Sequence, residues 1–165
     1  MPCAPDELAA RLDAVRRRMA DADLDALLVA DPANIHYLTG YDAWSFYMPQ
    51  VLLVTHDDEP LLALRAMDAN GAHRTAQLPQ SRILGYPESW VHQRDRHPFA
   101  WIVDALRERG LMRAGRVGIE TEAHFLTVRS YLALAEAAPE WTLVDDHQLV
   151  NWVRLTKSPA ELERM

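Results

Sequence analysis

Two short apolar runs bracket the most distinctive part of this sequence. Residues 26–30 (ALLVA) and 51–55 (VLLVT) are rich in leucine and valine and are typical of buried strands. Residues 31–50, which lie between them, contain five aromatic side chains: Tyr37, Tyr41, Trp44, Phe46 and Tyr47. Gly40 and Pro49 interrupt this segment, so part of it is predicted to be a loop. Aromatic side chains on a loop must pack against the core, a ligand or another chain, and this choice constrains what the chain can do.

The order of apolar runs and helical patterns predicts an α/β fold. The runs at 51–55 and 61–64 flank an acidic turn that ends in proline, which is typical of an antiparallel hairpin. Further strands are predicted at 83–86, 117–120 and 141–144. Helices are predicted at 5–22, 65–76 (interrupted by Asn70 and Gly71), 98–109 and 127–138, and a further one is capped by Asp145 or Asp146. Strands that alternate with helices and include one hairpin predict a layered domain with a mixed sheet.

The composition limits the possible partners. A chain of 165 residues with 49% hydrophobic and 25% charged residues fits one globular domain. The net charge of −7 argues against a nucleic-acid surface, because phosphate binding requires clustered Lys and Arg. No apolar run approaches the ~18 residues that span a membrane. The N-terminus also lacks a signal-peptide pattern, so a cytoplasmic location is expected. Cys3 is the only cysteine, so neither an internal disulfide nor a thiolate metal site is predicted.

The sequence contains no complete set of catalytic residues. The glycine-rich nucleotide motifs and the Gly-x-Ser-x-Gly elbow of hydrolases are missing. Glu120, Glu122 and His124 alternate along the chain, and a continued strand would place all three on one face as ligands for a divalent metal. The favoured alternative is a strand end that runs into a solvated loop, because three ligands within five residues seldom form a site unaided.

A second polar group follows the predicted strand at 83–86. Trp90, His92, Arg94, Arg96 and His97 lie on one loop. Arg and His can hold a carboxylate, and a neighbouring Trp can line an apolar pocket. The alternative is an exposed loop whose charges point to water, and it is the favoured interpretation of the pattern.

The last residues carry a clear helix-start signal. Ser158, Pro159 and Glu161 have the spacing of a capping box with proline in the first turn. A helix of only two turns is marginal on its own. Residues 157–165 are therefore predicted to begin a linker helix to a further domain, with residues 1–156 as the domain itself. The alternative is a fraying C-terminal tail.

These features resemble the N-terminal domain of the creatinase/prolidase superfamily. Residues 34–40 (NIHYLTG), which follow a Leu-Leu-Val strand and an Asp-Pro, are similar to the Asn-x-x-Tyr-Leu-Thr-Gly turn of that family. Residues 40–47 and 67–72 resemble the branch that contains ectoine hydrolase and Xaa-Pro peptidase-like enzymes. Residues 153–163 (VRLTKSPAELE) resemble the Arg-x-x-Lys-Ser-x-x-Glu junction to the catalytic domain. The resemblance covers nearly the whole chain.

The resemblance implies both a fold and an absent partner domain. The implied fold is a mixed sheet of about six strands with helices on both faces, in a ribonuclease-H-like layering. The implied second domain binds two divalent metals (Mn, Zn or Co) with Asp, Asp, His, Glu and Glu residues, none of which lies in this sequence. Family dimers place this domain near the neighbouring subunit's active site. Phe46 and Met48 match the aromatic and the arginine that bind the substrate carboxylate in creatinase, so the cation is replaced and creatine is not expected as substrate.

Three hypotheses follow. The leading one is a non-catalytic N-terminal domain of a dinuclear-metal C–N bond hydrolase, which supplies contacts to a homodimer partner and part of the substrate pocket. The others are a stand-alone binding module for a small ligand or partner, and a self-contained enzyme that uses Glu120, Glu122 and His124. No catalytic or metal-ligating residue is assigned here under the first hypothesis. Its candidates for the pocket or interface are Trp44, Phe46, Tyr47, Met48, Trp90, His92, Arg94 and His97.

Overall fold

A six-stranded sheet forms the centre of the computed structural model, which describes residues 4–42, 45 and 47–165. The strands are β1 (Ala26–Val29), β2 (Val51–Thr55), β3 (Leu61–Arg65), β4 (Ile83–Tyr86), β5 (Gly115–Ile119) and β6 (Trp141–Asp145). The helices are α1 (Pro5–Asp21), α2 (Pro32–Thr39), α3 (Ala66–Thr75), α4 (Pro98–Glu108), α5 (Val128–Ala137), α6 (Leu149–Leu155) and α7 (Pro159–Arg164).

The strand order is β4-β3-β2-β1-β5-β6, and β2 is the antiparallel member of the sheet. The pairs β3–β4, β1–β5 and β5–β6 are parallel, so the carboxyl ends of β1, β3, β4, β5 and β6 meet at one edge together with the start of β2. The predicted mixed sheet and the β2–β3 hairpin are confirmed. Ligands of open α/β sheets bind outside the carboxyl ends of the strands, so this edge is the place to look for a site.

Helices cover both faces of the sheet, as the resemblance implied. Leu27 and Val29 on β1 face one layer, formed by α1, α2, α3 and α6. Leu28, between them, faces the other layer, formed by α4 and α5. Because strand side chains alternate between faces and both faces are covered, the central strands are apolar throughout rather than alternating.

Helix α2 begins and ends through local signals in the sequence. The Asp31 side chain accepts a hydrogen bond from the backbone of Ala33 at 2.8 Å, and Pro32 occupies the first turn. Gly40 ends the helix with φ of 72°, a conformation that glycine adopts without strain. Tyr37 and Leu38 on this helix are buried and face the interior.

Two predicted elements differ from the structure. Helix α3 runs unbroken from Ala66 to Thr75, although an interruption at Asn70 and Gly71 was predicted. Both residues lie on its exposed side, and a glycine inside an exposed helix costs only about 1 kcal/mol relative to alanine. Strand β5 ends at Ile119 and does not include Glu120. Among the described residues, no helix is long and apolar enough to cross a membrane.

Candidate functional site

A cleft of about 170 Å³ opens at the carboxyl edge of the sheet. Three chain segments build it: the residues that precede β2, the loop between β4 and α4, and the segment that connects β5 to α5. Five of the predicted site residues line this cleft together: Tyr47, Met48, Trp90, His92 and His97. The fold therefore brings together two stretches that lie more than forty positions apart in the sequence.

Of the remaining predicted site residues, Arg94 is the one that the structure describes. Arg94 lines an adjoining groove of about 430 Å³ rather than the cleft itself. Trp44 and Phe46 lie outside the described residues, so their role in the pocket stays a prediction. Tyr47 is 65% exposed at the mouth of the cleft, whereas Met48 is buried. The phenol of Tyr86 donates a hydrogen bond of 2.9 Å to the Pro49 carbonyl, which holds this loop against β4.

His97 combines a structural role with a place in the cleft. Its Nδ1 accepts a hydrogen bond of 3.2 Å from the backbone N–H of Phe99 and caps α4, a role that the sequence analysis did not assign. Burial, and secondarily the charge of Arg129, lower the pKa of His97 to about 4. The imidazole is therefore neutral at physiological pH. Because Nδ1 accepts, the ring proton is on Nε2, and His97 can donate one hydrogen bond without adding charge.

Arg129 on α5 organises this loop, and no sequence pattern had singled it out. Its guanidinium donates to the backbone carbonyl oxygens of Gln93, Arg94 and Arg96. These acceptors are neutral, so Arg129 keeps its positive charge at the cleft. The sequence offers only a weak signal for this role of Arg129. An arginine in the first turn of a helix opposes the helix dipole and does not predict a specific partner.

The cleft is cationic and aromatic. Arg96 lies with its guanidinium carbon 5.5 Å from the centre of the Trp90 ring. Its Nε is 4.0 Å from a carboxylate oxygen of Asp95, a long and exposed ion pair. Of the described residues that line the cleft, none is an Asp or Glu. His92, also in the lining, has a positive φ of 53°, which is uncommon for a residue other than glycine and is often found at functional sites. This arrangement suits an anionic group attached to a flat or apolar body.

A second crevice of about 270 Å³ lies between the ends of β1, β5 and β6 and contains Glu120, Glu122 and His124. Glu120 is buried and takes no part in a solvated loop. It accepts hydrogen bonds of 2.6 Å each from the backbone N–H groups of Ala30 and Asp31. Among the described residues, no group of three His, Cys, Asp or Glu side chains is placed to hold a metal ion. Through its hydrogen bonds to Ala30 and Asp31, Glu120 connects the residue after β5 to the end of β1.

Burial also perturbs the acidity of this crevice. It raises the pKa of Glu120 to about 7, although the three N–H donors around the carboxylate act in the opposite direction. It likewise raises the pKa of Asp146 to about 6. Asp146, one of the two predicted capping residues, accepts from the backbone N–H groups of Gln148 and Leu149 at the start of α6.

The junction motif forms contacts with the domain core. Asn34 donates to Glu120 at 2.6 Å and accepts from Arg154 at 2.7 Å, so the start of α2 is linked to α6. The predicted capping box is present: Ser158 Oγ accepts from the Glu161 N–H, and the Glu161 carboxylate accepts from the Ser158 N–H at 2.8 Å. Asn34 of the NIHYLTG motif and Arg154 of the junction motif are therefore hydrogen-bonded to each other.

This fold and these motif contacts define a member of a known family. Residues 11–156 match the model of the creatinase/prolidase N-terminal domain, and the chain belongs to that family. The resemblance drawn from the sequence is confirmed.

Several relatives and solved structures are similar to the chain. The ectoine hydrolase of Halomonas elongata is 39% identical over 166 residues, which cover 100% of this chain and 41% of that protein. An uncharacterized hydrolase/peptidase of Sinorhizobium fredii, y4tM, is 45% identical over 156 residues, 94% of this chain and 40% of that one. A proline dipeptidase structure from Streptococcus pneumoniae superposes with a TM-score of 0.70 at 26% identity, covering 88% of this chain and 98% of that one. The chain spans about two fifths of the length of these two curated relatives.

Proposed function

We propose that this chain is the non-catalytic N-terminal domain of a dinuclear-metal C–N bond hydrolase of the Xaa-Pro dipeptidase or ectoine hydrolase type. It supplies part of the substrate pocket and contacts to a second subunit of a homodimer. The observation that carries this proposal is the cleft, in which Tyr47, Met48, Trp90, His92 and His97 meet. Its partners are its own C-terminal catalytic domain and the second subunit, and it acts in the cytoplasm without nucleic acid or membrane.

The chemistry of bond cleavage belongs to the catalytic domain. Two divalent ions (Mn, Zn or Co) bound there would lower the pKa of a water molecule and polarise the scissile carbonyl. The part of this chain that the structure describes offers no cluster of three ligands for such an ion. The residues of this chain bind and orient the substrate instead.

The cleft is suited to the anionic end of a substrate. Arg96 provides a positive charge, and the Nε2–H of His97 provides a neutral donor. Trp90 and Met48 offer apolar surface beside them. The resemblance implies that Met48 stands where creatinase has an arginine, and in this proposal Arg96 supplies the cation from a different loop.

The test is steady-state kinetics of the full-length protein with Arg96→Gln. For carboxylate-bearing dipeptides or ectoine, KM should rise about tenfold while kcat changes less than about twofold, because the lost contact is made equally in the ground state and the transition state. Arg94→Gln is the matched control, since Arg94 is on the same loop but does not line the cleft. Its KM should remain near the wild-type value when all proteins are assayed in the same oligomeric state.

Equal effects of the two substitutions on KM would show that only the overall charge of the loop matters. The proposed role of Arg96 in binding the substrate would then be wrong. A fall in kcat without a change in KM would also contradict substrate binding by Arg96.

The second candidate is a stand-alone module that binds a small anion. It is favoured by the observation that the cleft is formed within this chain alone. The two candidates differ in the affinity of the 165-residue protein for a carboxylate such as phenylacetate. A stand-alone module would bind this carboxylate tightly. A pocket wall would bind it weakly, because the catalytic domain contributes the remaining contacts.

A further inference from the structure

Helix α5 is apolar on its outer side as well as its inner side. Leu134 faces the core and is buried. On the outer side, Val128 is 76% exposed, Leu132 60% and Tyr131 41%. Their spacing of three and four residues places them on one stripe along the helix. Exposed apolar residues in a continuous stripe, unlike single ones, mark interaction surfaces.

The stripe continues into the groove beside it. Leu132 and Ala133 form part of the groove of about 430 Å³, and Trp90 and Arg94 lie on its other side. The stripe and this groove together are called the α5 surface below. A helical side chain of a second molecule would find both an apolar strip and a neighbouring recess there.

The α5 surface is distinct from a second exposed apolar set among the described residues. Trp152, Leu155 and Leu162 are 54%, 62% and 61% exposed on α6 and α7. Helix α6 packs on the layer that contains α1, whereas α5 packs on the opposite layer with α4. One molecule contacting the α6–α7 side therefore leaves the α5 surface open.

The charges along α5 are arranged to fit a copy of themselves. The N-terminal end of the helix carries a net positive charge, because Arg129 on α5 and Arg94 and Arg96 on the adjoining loop outnumber the one carboxylate there, Asp95. Glu136 lies seven residues after Arg129, two turns further along the same side. In an antiparallel pair of α5 helices, the cationic end of one copy meets Glu136 of the other, and Leu132 lies near the two-fold axis. A two-fold contact of this type is self-complementary.

We propose that the α5 surface binds the α5 surface of a second copy of this protein, with the two helices antiparallel about Leu132. This inference rests on the proposed function for the existence of a dimer and gives that dimer a location. Trp90 and Arg96 line both the groove and the cleft, so the second copy sits beside the substrate cleft. The partner subunit is thereby placed where it can complete the pocket.

Sedimentation of the 165-residue protein over a wide concentration range tests this contact, with Leu132→Glu as the variant. Wild type should self-associate, and Leu132→Glu should weaken the association by about tenfold or more, because a central apolar contact is replaced by a like-charged pair. Raising the salt concentration should also weaken the wild-type dimer, since Glu136 and the cationic end attract each other across it.

Leu155→Glu is the matched control, because the same residue type has nearly the same exposure on the opposite side. It should leave the association constant within about twofold of wild type. Thermal melts should show that both variants remain folded, as both leucines are exposed.

A wild-type protein that stays monomeric at every concentration would overturn the proposal, as would equal effects of the two substitutions. A crosslink supplies independent evidence: in a Cys3→Ser background, Leu132→Cys should form a disulfide-linked dimer under mild oxidation and Leu155→Cys should not. If Leu132→Glu has no effect while Arg96→Gln still raises KM in the full-length protein, the α5 contact is wrong and the pocket function stands.

Discussion

Arg11 on α1 and Glu161 on α7 are 150 positions apart in the sequence, and the Arg11 Nη2 and Glu161 Oε1 atoms are 2.9 Å apart. The same guanidinium donates to Glu7 at 2.7 Å and to the backbone carbonyl of Tyr37 at 2.9 Å. It also lies over the Tyr37 ring, 4.1 Å from its centre. One side chain thus joins α1, α2 and α7 and holds the start of α7 in place.

Arg11→Met should release the last helix. The substitution keeps an apolar side chain over Tyr37 but leaves the carboxylates of Glu7 and Glu161 without their shared cation. We expect a loss of about 1–3 kcal/mol in the free energy of unfolding. Hydrogen exchange of residues 158–165 should become markedly faster. Chemical denaturation and exchange mass spectrometry measure the two effects.

Arg17→Met is the control for Arg11→Met, because Arg17 is an exposed arginine on the same helix. It should leave both stability and exchange near wild type. Similar behaviour of the two variants would mean that Arg11 does not anchor α7.

Glu120 should make the domain more stable as the pH falls from about 8 to 6.5. Its pKa is about 7 in the folded state, above the unfolded value, so folding takes up a proton in this range. The associated stability is fully present below the unfolded pKa and is lost as the pH rises through about 7. From pH 8 to 6.5 the gain is about 1 kcal/mol, and Asp146, with a pKa of about 6, adds to it at lower pH.

The variant Glu120→Gln should flatten this pH dependence, whatever its effect on absolute stability. Glu122→Gln, at an exposed position in the same crevice, should retain the wild-type slope. Urea unfolding of the three proteins at several pH values measures the slopes. A wild-type slope in Glu120→Gln would contradict the assignment.

His97 should make the domain less stable as the pH falls, which is opposite to the effect of Glu120. Its pKa is lowered to about 4 in the folded state, so the stability linked to its neutral form is present above the unfolded pKa of about 6.5 and lost as the pH falls. An NMR titration of the imidazole should give a midpoint near pH 4. A bound carboxylate should raise that midpoint, because a negative charge favours the imidazolium. A midpoint near 6.5 without ligand would show that His97 is neither buried nor affected by Arg129.

The two neighbouring residues Tyr47 and Met48 should behave differently when replaced by alanine. Met48 is buried, so Met48→Ala should cost about 2–5 kcal/mol of unfolding free energy. Tyr47 is mostly exposed, so Tyr47→Ala should cost less than about 1 kcal/mol and act on substrate affinity instead. Denaturation midpoints and KM of the full-length protein distinguish these outcomes. A large loss of stability in Tyr47→Ala would identify it as a core residue.

The sequence was sufficient for most of the secondary structure because the local signals agreed with the fold, with α3 and the end of β5 as the exceptions. Asp31-Pro32 before α2, Gly40 after it and Ser158-Pro159 before α7 each specify a helix end through their own backbone chemistry. Apolar runs such as residues 51–55 predicted the positions of the strands. Strand order was not predictable, because pairing depends on contacts between segments far apart in the chain.

The candidate site was only partly predictable for the same reason. Trp90 and His97 were recognised by residue type, but nothing local indicated that they meet Met48. Arg129 and Arg11 were missed because their partners are backbone carbonyls and distant carboxylates. Glu120 was considered as a metal ligand; its burial depends on the neighbouring strand β1, which supplies its hydrogen-bond donors.

In the proposed function, this chain binds and positions a substrate without cleaving it. The most direct measurement is hydrolysis of Xaa-Pro dipeptides, N-acetyl diamino acids and ectoine by the purified 165-residue protein with added Mn²⁺ or Zn²⁺. We expect no turnover above a metal blank, since the described residues provide no cluster to activate a metal-bound water. Turnover that survives repurification, is lost in Glu122→Gln and is retained in the exposed control Glu108→Gln would contradict it.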